Sequence, residues 1–190
     1  MSRSHQSNPE LAANCIQTLT GWAPFGPSQE RLRRQFLGHL AEHADGWART
    51  CAGSHLTASA LVGSPTARQV LLTLHARIGR WLQTGGHLEI GDTSLSAAAL
   101  REAVEESGVA GMRVDPVPLL LSRHQVTCSG QPTYHLDVQY LAVAPVTAAP
   151  VVGVESLDVR WFDVAALPDV DESVLDLITA AGRRLGQRWP

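Results

Sequence analysis

Three carboxylates, Glu102, Glu105 and Glu106, stand within five positions of one another, with Arg101 beside them. On a helix Glu102 and Glu106 are i and i+4, and Glu105 is i+3 from Glu102, so the three acids share one face. Like charges at this spacing destabilise a helix by a few tenths of a kcal/mol per pair, roughly. A bound cation removes that penalty, and clustered oxygen ligands suit Mg²⁺. Mg²⁺ polarises the oxygens it binds and lowers the pKa of bound water, so such a cluster could serve a hydrolysis. A solvated acidic helix face carries the same residues without any chemistry, so the element that holds them decides between the two readings.

That element is a helix with both ends marked. Thr93 or Ser94 supplies an N-cap, and Gly108 supplies a left-handed stop. Ala97, Leu100 and Val104 lie opposite the acids and are expected to bury that face. Upstream, Gly85-Gly86, Glu89 and Gly91-Asp92 form a glycine-rich loop that feeds the helix. Gly86, five residues, an acid, and then Arg101-Glu102-Ala103-Val104-Glu105-Glu106-Ser107-Gly108-Val109 resemble the signature of the Nudix hydrolases. The chain departs from that pattern at three places. Asp92 stands where Glu is usual, eight residues rather than seven separate it from Arg101, and Thr84 stands where proline often precedes the two glycines. The extra residue leaves the spacing within Arg101–Glu106 untouched. It bears on the contact between Asp92 and Arg101, and it is expected to be absorbed in the loop or the first helical turn.

The resemblance implies an α+β fold of the Nudix type, an α/β/α sandwich with a mixed, partly curled sheet, over residues 54–190. Residues 1–53 form an N-terminal helical extension ahead of it. The implied activity is Mg²⁺-dependent hydrolysis, with Mn²⁺ as the substitute ion, of a nucleoside diphosphate linked to another moiety. A nucleotide sugar, a dinucleotide and a nucleoside triphosphate all fit that description. Prenyl or sugar diphosphates remain open as substrates, as does a nucleotide-binding module without turnover. The intact Arg101-Glu102 and Glu105-Glu106 pairs favour an enzyme. By resemblance Glu102 and Glu106 are metal ligands, with Glu105 binding directly or through water, and the Gly86 carbonyl joins them. Arg101 holds a glutamate, or Asp92, in place by a bidentate bond. The general base is sought outside the signature, with Glu155 the first candidate and Glu89 close behind it. His87 and His135 are further candidates, for phosphate contact or for titration near neutral pH.

Composition sets the bounds. The chain has 190 residues, 44% of them hydrophobic, and a formal net charge of −3, which suits a single globular domain with an appendage. All 15 basic residues are Arg, and no basic block offers a nucleic-acid groove, because phosphate neutralisation needs clustered cations. The expected partner is a small diphosphate, with a homodimer left open. No apolar run approaches the ~18 residues of a membrane span. Cys15, Cys51 and Cys128 show no paired or zinc-type spacing, so a reduced cytoplasmic setting and no zinc are expected.

The remaining elements follow from capping and periodicity. Asn8-Pro9-Glu10 starts a helix with Leu11, Cys15, Ile16 and Leu19 as its stripe. Ser28 caps a second helix, with Leu32, Phe36, Leu37, Leu40, Ala44 and Trp47 apolar. Residues 55–62 and 69–75 form an antiparallel hairpin across the turn Gly63–Thr66. Trp81 could stack on a base, although an aromatic before this loop more often packs in the core. Strands follow around 117–126, 136–144 and 157–162, with a polar loop at 127–133. A final helix starts at Pro168–Asp171 and buries Val174, Leu177, Ile178 and Leu185.

Overall fold

The computed structural model describes residues 8–128, 130–153 and 156–186. Two helices come first, α1 (Pro9–Gly21) and α2 (Pro27–Glu42). Strands β1 (Ser54–Gly63), β2 (Gln69–His75), β3 (Trp81–Leu82) and β4 (Thr84–His87) lead to α3 (Leu95–Ser107). Then follow β5 (Arg113–Val114), β6 (Leu120–Cys128), β7 (Gln131–Val143), β8 (Ser156–Asp163) and α4 (Glu172–Gly186).

The sheet is built on β1 and β7, which run parallel in register from Ser54↔Tyr134 to Gly63↔Val143. One edge of β1 is shared by two antiparallel partners: β4 along Thr57–Ala60, and β2 at Val62–Gly63. The far edge of β7 is likewise divided between β6 and β5. Two partners on one edge cannot lie in one plane, so the sheet splits and curls on both sides of the central pair. β8 completes it by pairing along β2.

Strand alternation sends successive side chains of β1 to opposite layers. Leu56, Ala58, Ala60 and Val62 join a core shared with α1, α2 and α3, which includes Leu11, Phe36, Ala98, Ala99 and Ala103. Leu61 joins a second core with Val70, Leu141 and the α4 residues Val174, Leu177 and Ala181. Helices therefore cover both faces, as an α/β/α sandwich requires.

Several local expectations are revised. α2 starts at Pro27 behind Gly26, whose φ of 88° suits glycine, and Ser28 lies inside the helix rather than capping it. Ala44 and Trp47 fall past its end, although Trp47 is still buried. Ile16 is half exposed. The polar segment 127–133 is no open loop, because β6 and β7 pair as far as Cys128↔Gln131. Trp81 packs edge-on against Phe162, with ring centroids 4.7 Å apart.

Candidate diphosphate site

Ser94 caps α3, its side chain accepting from the Ala97 amide, and Gly108 ends it at φ 67°. The helix is α throughout Leu95–Ser107, so the extra residue is absorbed in the bend before it. Its deeply buried residues are Leu95, Ala98, Ala99, Ala103 and Ser107, while Ala97, Leu100 and Val104 are only half buried. The buried face is thus turned toward the acids from the one expected. The reason is the close approach of the glycine strand. A Cβ on Gly85 would sit 2.3 Å from the Ser59 Cβ, and one on Gly86 would sit 2.6 Å from the Glu102 carboxylate. Gly85 lets β4 close on Ser59 of β1, Gly86 lets Glu102 lie against β4, and small helix residues keep that contact tight.

Arg101 is the hub of the turn. Its Nε and Nη2 donate to the two oxygens of Asp92 at 3.1 and 3.0 Å, a bidentate pair. Nη1 donates to Glu102 at 2.9 Å and to Glu105 at 3.1 Å, and Nη2 also donates to the His87 carbonyl at 2.9 Å. Burial opposes the guanidinium charge, but the hydrogen bonds to Asp92 and the field of Glu102 outweigh it and raise its pKa. Asp92 is itself buried and accepts from the Glu89 amide at 2.7 Å, closing the loop. Aspartate with one added residue thus makes the arginine contact that the altered spacing had put in question.

The three glutamates differ in exposure. The Glu102 side chain is 14% exposed and that of Glu105 is 57% exposed, while Glu106 is intermediate. The Glu89 carboxylate is largely exposed and 3.9 Å from Arg101 Nη1. The loop after β7 crosses the last turn of α3: the Val151 amide donates to the Ser107 carbonyl at 2.7 Å. A Cβ on Gly153 would lie 3.1 Å from the Glu105 carbonyl. Glu155 lies outside the described residues.

Two supports were missed in the sequence because they come from α1. The Asn8 side-chain oxygen caps α1, and its Nδ2 donates to the Ile90 and Asp92 carbonyls at 2.9 and 3.2 Å. Asn14 Oδ1 accepts from the Leu95 amide, a free donor in the first turn of α3, at 3.1 Å. Asn8 at the start of α1 carried a capping signal, whereas Asn14, inside α1, carried none for a contact with α3.

The histidines stand elsewhere. By alternation along β4, His87 faces the layer opposite to Gly86. Its ring lies 4.9 Å from that of His135 and 5.1 Å from that of His55. Neither His87 nor His135 titrates near neutrality. Burial, then Arg49 and His55, push His87 down to about 4. Burial, then the neighbouring histidines, push His135 down to about 3. Ligand atoms of His55, His87, Cys128 and His135 all lie within 4.8 Å of one another, a grouping that the sequence spacing concealed.

The curled mixed sheet, the helices on both faces and the carboxylate helix abutting a glycine strand define a Nudix-type fold. The family model described as NUDIX domain matches residues 53–180, and the chain belongs to that family, hydrolases of phosphoric anhydride bonds. No curated protein matches the chain. Among solved structures, the chain is similar to the NUDIX domain of Shewanella oneidensis NrtR complexed with ADP ribose. That match has a TM-score of 0.57 and 22% identity over 76% of this chain and 97% of that one. It is also similar to a Caenorhabditis elegans Ap4A hydrolase in a binary complex, at TM-score 0.54 and 16% identity over 70% and 98%. A third is a NUDIX-family hydrolase from Clostridium perfringens, at 0.52 and 23% over 69% and 97%. At these identities the likeness speaks for the fold.

Proposed function

We propose that the chain is a Mg²⁺-dependent hydrolase that cleaves the diphosphate bond of a nucleoside diphosphate linked to another moiety. The observation that carries this reading is the Arg101 hub, which holds Asp92, Glu102 and Glu105 against the glycine strand in a defined arrangement. A solvated acidic face needs no such bracing. The donor set fits a hard cation, since it consists of carboxylates, and the missing Cβ of Gly86 is what lets Glu102 reach the strand. Glu102, Glu105, Glu106 and the Gly86 carbonyl would hold Mg²⁺, or Mn²⁺ in its place. When bound, the ion supplies charge neutralisation for the phosphoryl oxygens and acidifies a water.

The residues of the chain do the rest. Arg101, raised in pKa, stays cationic and keeps Glu102 oriented. Asp92 fixes the guanidinium through its bidentate pair, and the Glu89 amide fixes Asp92. Glu105, exposed and tied to Arg101 on one oxygen, would bind the ion directly or through water. For the general base we retain Glu155 ahead of Glu89. In sequence Glu155 immediately precedes β8, and Gly153, two positions earlier, packs on the Glu105 and Glu106 backbone. Nucleotide substrates are supported by the ligand named for the NrtR domain and by the Ap4A hydrolase, relatives in fold.

The test is a panel of dinucleotides, nucleotide sugars, nucleoside triphosphates and prenyl diphosphates with Mg²⁺. Phosphate release is read with and without added phosphatase. Phosphatase-dependent release from a nucleotide substrate, abolished by EDTA, is expected. Full turnover in excess EDTA contradicts the metal assignment. Nucleotide binding without turnover makes the chain a binding module.

A further inference from the structure

The diphosphate site uses oxygen donors on one face of β1 and β4. On the opposite face, His55 of β1, His87 of β4, His135 of β7 and Cys128 of β6 converge, with ligand atoms within 4.8 Å of one another. We propose that these four side chains form a closed structural site for a transition-metal ion, Zn²⁺, separate from the Mg²⁺ site.

Three observations carry it. The first is unmet bonding. His55 is completely buried, and among the described residues its Nε2 and that of His135 have no hydrogen-bond partner. A buried polar atom left unpaired is costly and calls for a partner. His55 Nδ1 lies 3.4 Å from the Cys51 carbonyl. A carbonyl only accepts, so Nδ1 carries the proton and Nε2 presents its lone pair inward. A backbone carbonyl that fixes the tautomer in this way is the usual support of a metal-ligating histidine.

The second is geometry. Zn–N bonds of about 2.0–2.1 Å and a Zn–S bond of about 2.3 Å place tetrahedral ligand atoms roughly 3.3–3.6 Å apart. Cys128 Sγ and His87 Nε2 are already 3.9 Å apart. The widest pair, at up to 4.8 Å, must draw in by about 1.2–1.5 Å, a movement for side-chain rotation on four paired strands. Register supports the placement, since His55 lies directly across from His135 in the parallel β1–β7 pair.

The third is donor chemistry. Ligation requires neutral imidazole and a deprotonated thiol. Three imidazoles and a thiolate suit Zn²⁺, whereas Mg²⁺ takes oxygen ligands. The two sites therefore sort different ions. They meet at His87, whose ring belongs to this cluster while its carbonyl accepts from Arg101. An ion here pins β4 beside Gly86 without taking part in the hydrolysis. The expectation of no zinc rested on sequence spacing alone, and the four-strand convergence replaces it.

The test uses the full chain purified without a histidine tag. After desalting, elemental analysis is expected to give one zinc per chain. Replacement by Co²⁺ is expected to give tetrahedral visible bands and a near-ultraviolet cobalt–thiolate charge-transfer band. Cys128→Ser should remove the charge-transfer band, and His135→Gln should reduce bound zinc at least tenfold. Glu106→Gln should leave both zinc content and spectrum unchanged. If a variant fails to fold, the charge-transfer band of the wild type alone reports the cobalt–thiolate bond. Folded wild type with neither retained zinc nor the Co²⁺–thiolate band overturns the proposal. So does zinc retained equally by the folded Cys128→Ser and His135→Gln proteins, which would place it elsewhere.

Discussion

The acidic turn of α3 and the imidazole–thiol cluster lie on opposite faces of the same two strands and solve opposite problems. The acidic turn gathers negative charge and leaves one edge of it open to water. Glu105 is largely exposed, and one arginine spans Asp92, Glu102 and Glu105. The other cluster gathers imidazoles and a thiol around a fully buried His55, with two ring nitrogens unpartnered among the described residues. A hydrated hard ion that must accept and release phosphate suits the first environment. A borderline-soft ion that stays in place suits the second. The lesson is that burial and donor type, rather than the number of ligating side chains, separate a working site from a fastening one.

The sharpest way to break this comparison is to remove charge from the acidic turn. Glu106→Gln is expected to lower kcat by about 10²–10³, roughly 3–4 kcal/mol of transition-state stabilisation, with an unchanged urea midpoint. Losing one of three crowded carboxylates relieves repulsion in the helix. Glu155→Gln is expected to cost less. Loss of the acidic limb of the pH–rate profile is the mark of the proposed base, and a larger loss than that of Glu106→Gln would overturn the ranking.

Removing the brace comes next. Arg101→Gln leaves Asp92 buried without its bidentate partner. Breaking a buried pair costs about 3–5 kcal/mol, and the partly exposed guanidinium brings this to about 2–3. Urea denaturation measures it. An unchanged midpoint would make the hub a passive surface contact.

Acid should act on the other face. In metal-free protein His87 and His135 are depressed to about 4 and about 3, below the ordinary value of roughly 6.5 of the unfolded chain. The unfolded state then binds more protons between those values. Stability is fully present above about pH 6.5 and falls as the pH drops toward 4. Urea midpoints across that interval should slope, and His135→Gln should flatten the slope. A flat wild-type profile would contradict the buried neutral cluster.

The smallest effect tests the link between extension and site. Asn8→Ala removes the cap of α1 and the two bonds to the 90–92 segment, and should cost about 1 kcal/mol of stability. It should also raise the Mg²⁺ requirement modestly. A stability loss with no change in metal dependence would confine Asn8 to capping.

What was readable in the sequence was local. The ends of α3 are written in Ser94 and Gly108, the carboxylate spacing is a property of one helix, and the limits of β2 follow from alternation. The burial phase of α3 was not readable, because it depends on how closely Gly85 and Gly86 approach Ser59 and Glu102. Residues 127–133, where β6 and β7 pair near the hairpin end, were read as a loop because polar residues there carry no apolar alternation. The metal-ligating quartet was invisible for a related reason. Positions 55, 87, 128 and 135 share a place only through the register of four strands, and register is a tertiary quantity.

The central claim is that the acidic turn is a Mg²⁺ site for diphosphate hydrolysis. The most direct measurement is turnover of the best substrate in the panel as a function of Mg²⁺, for wild type and Glu106→Gln side by side. The account predicts no turnover without Mg²⁺, saturating dependence in the wild type, and a variant that needs far more Mg²⁺ and remains about 10²–10³ slower. Near-normal turnover of Glu106→Gln at ordinary Mg²⁺ would contradict it.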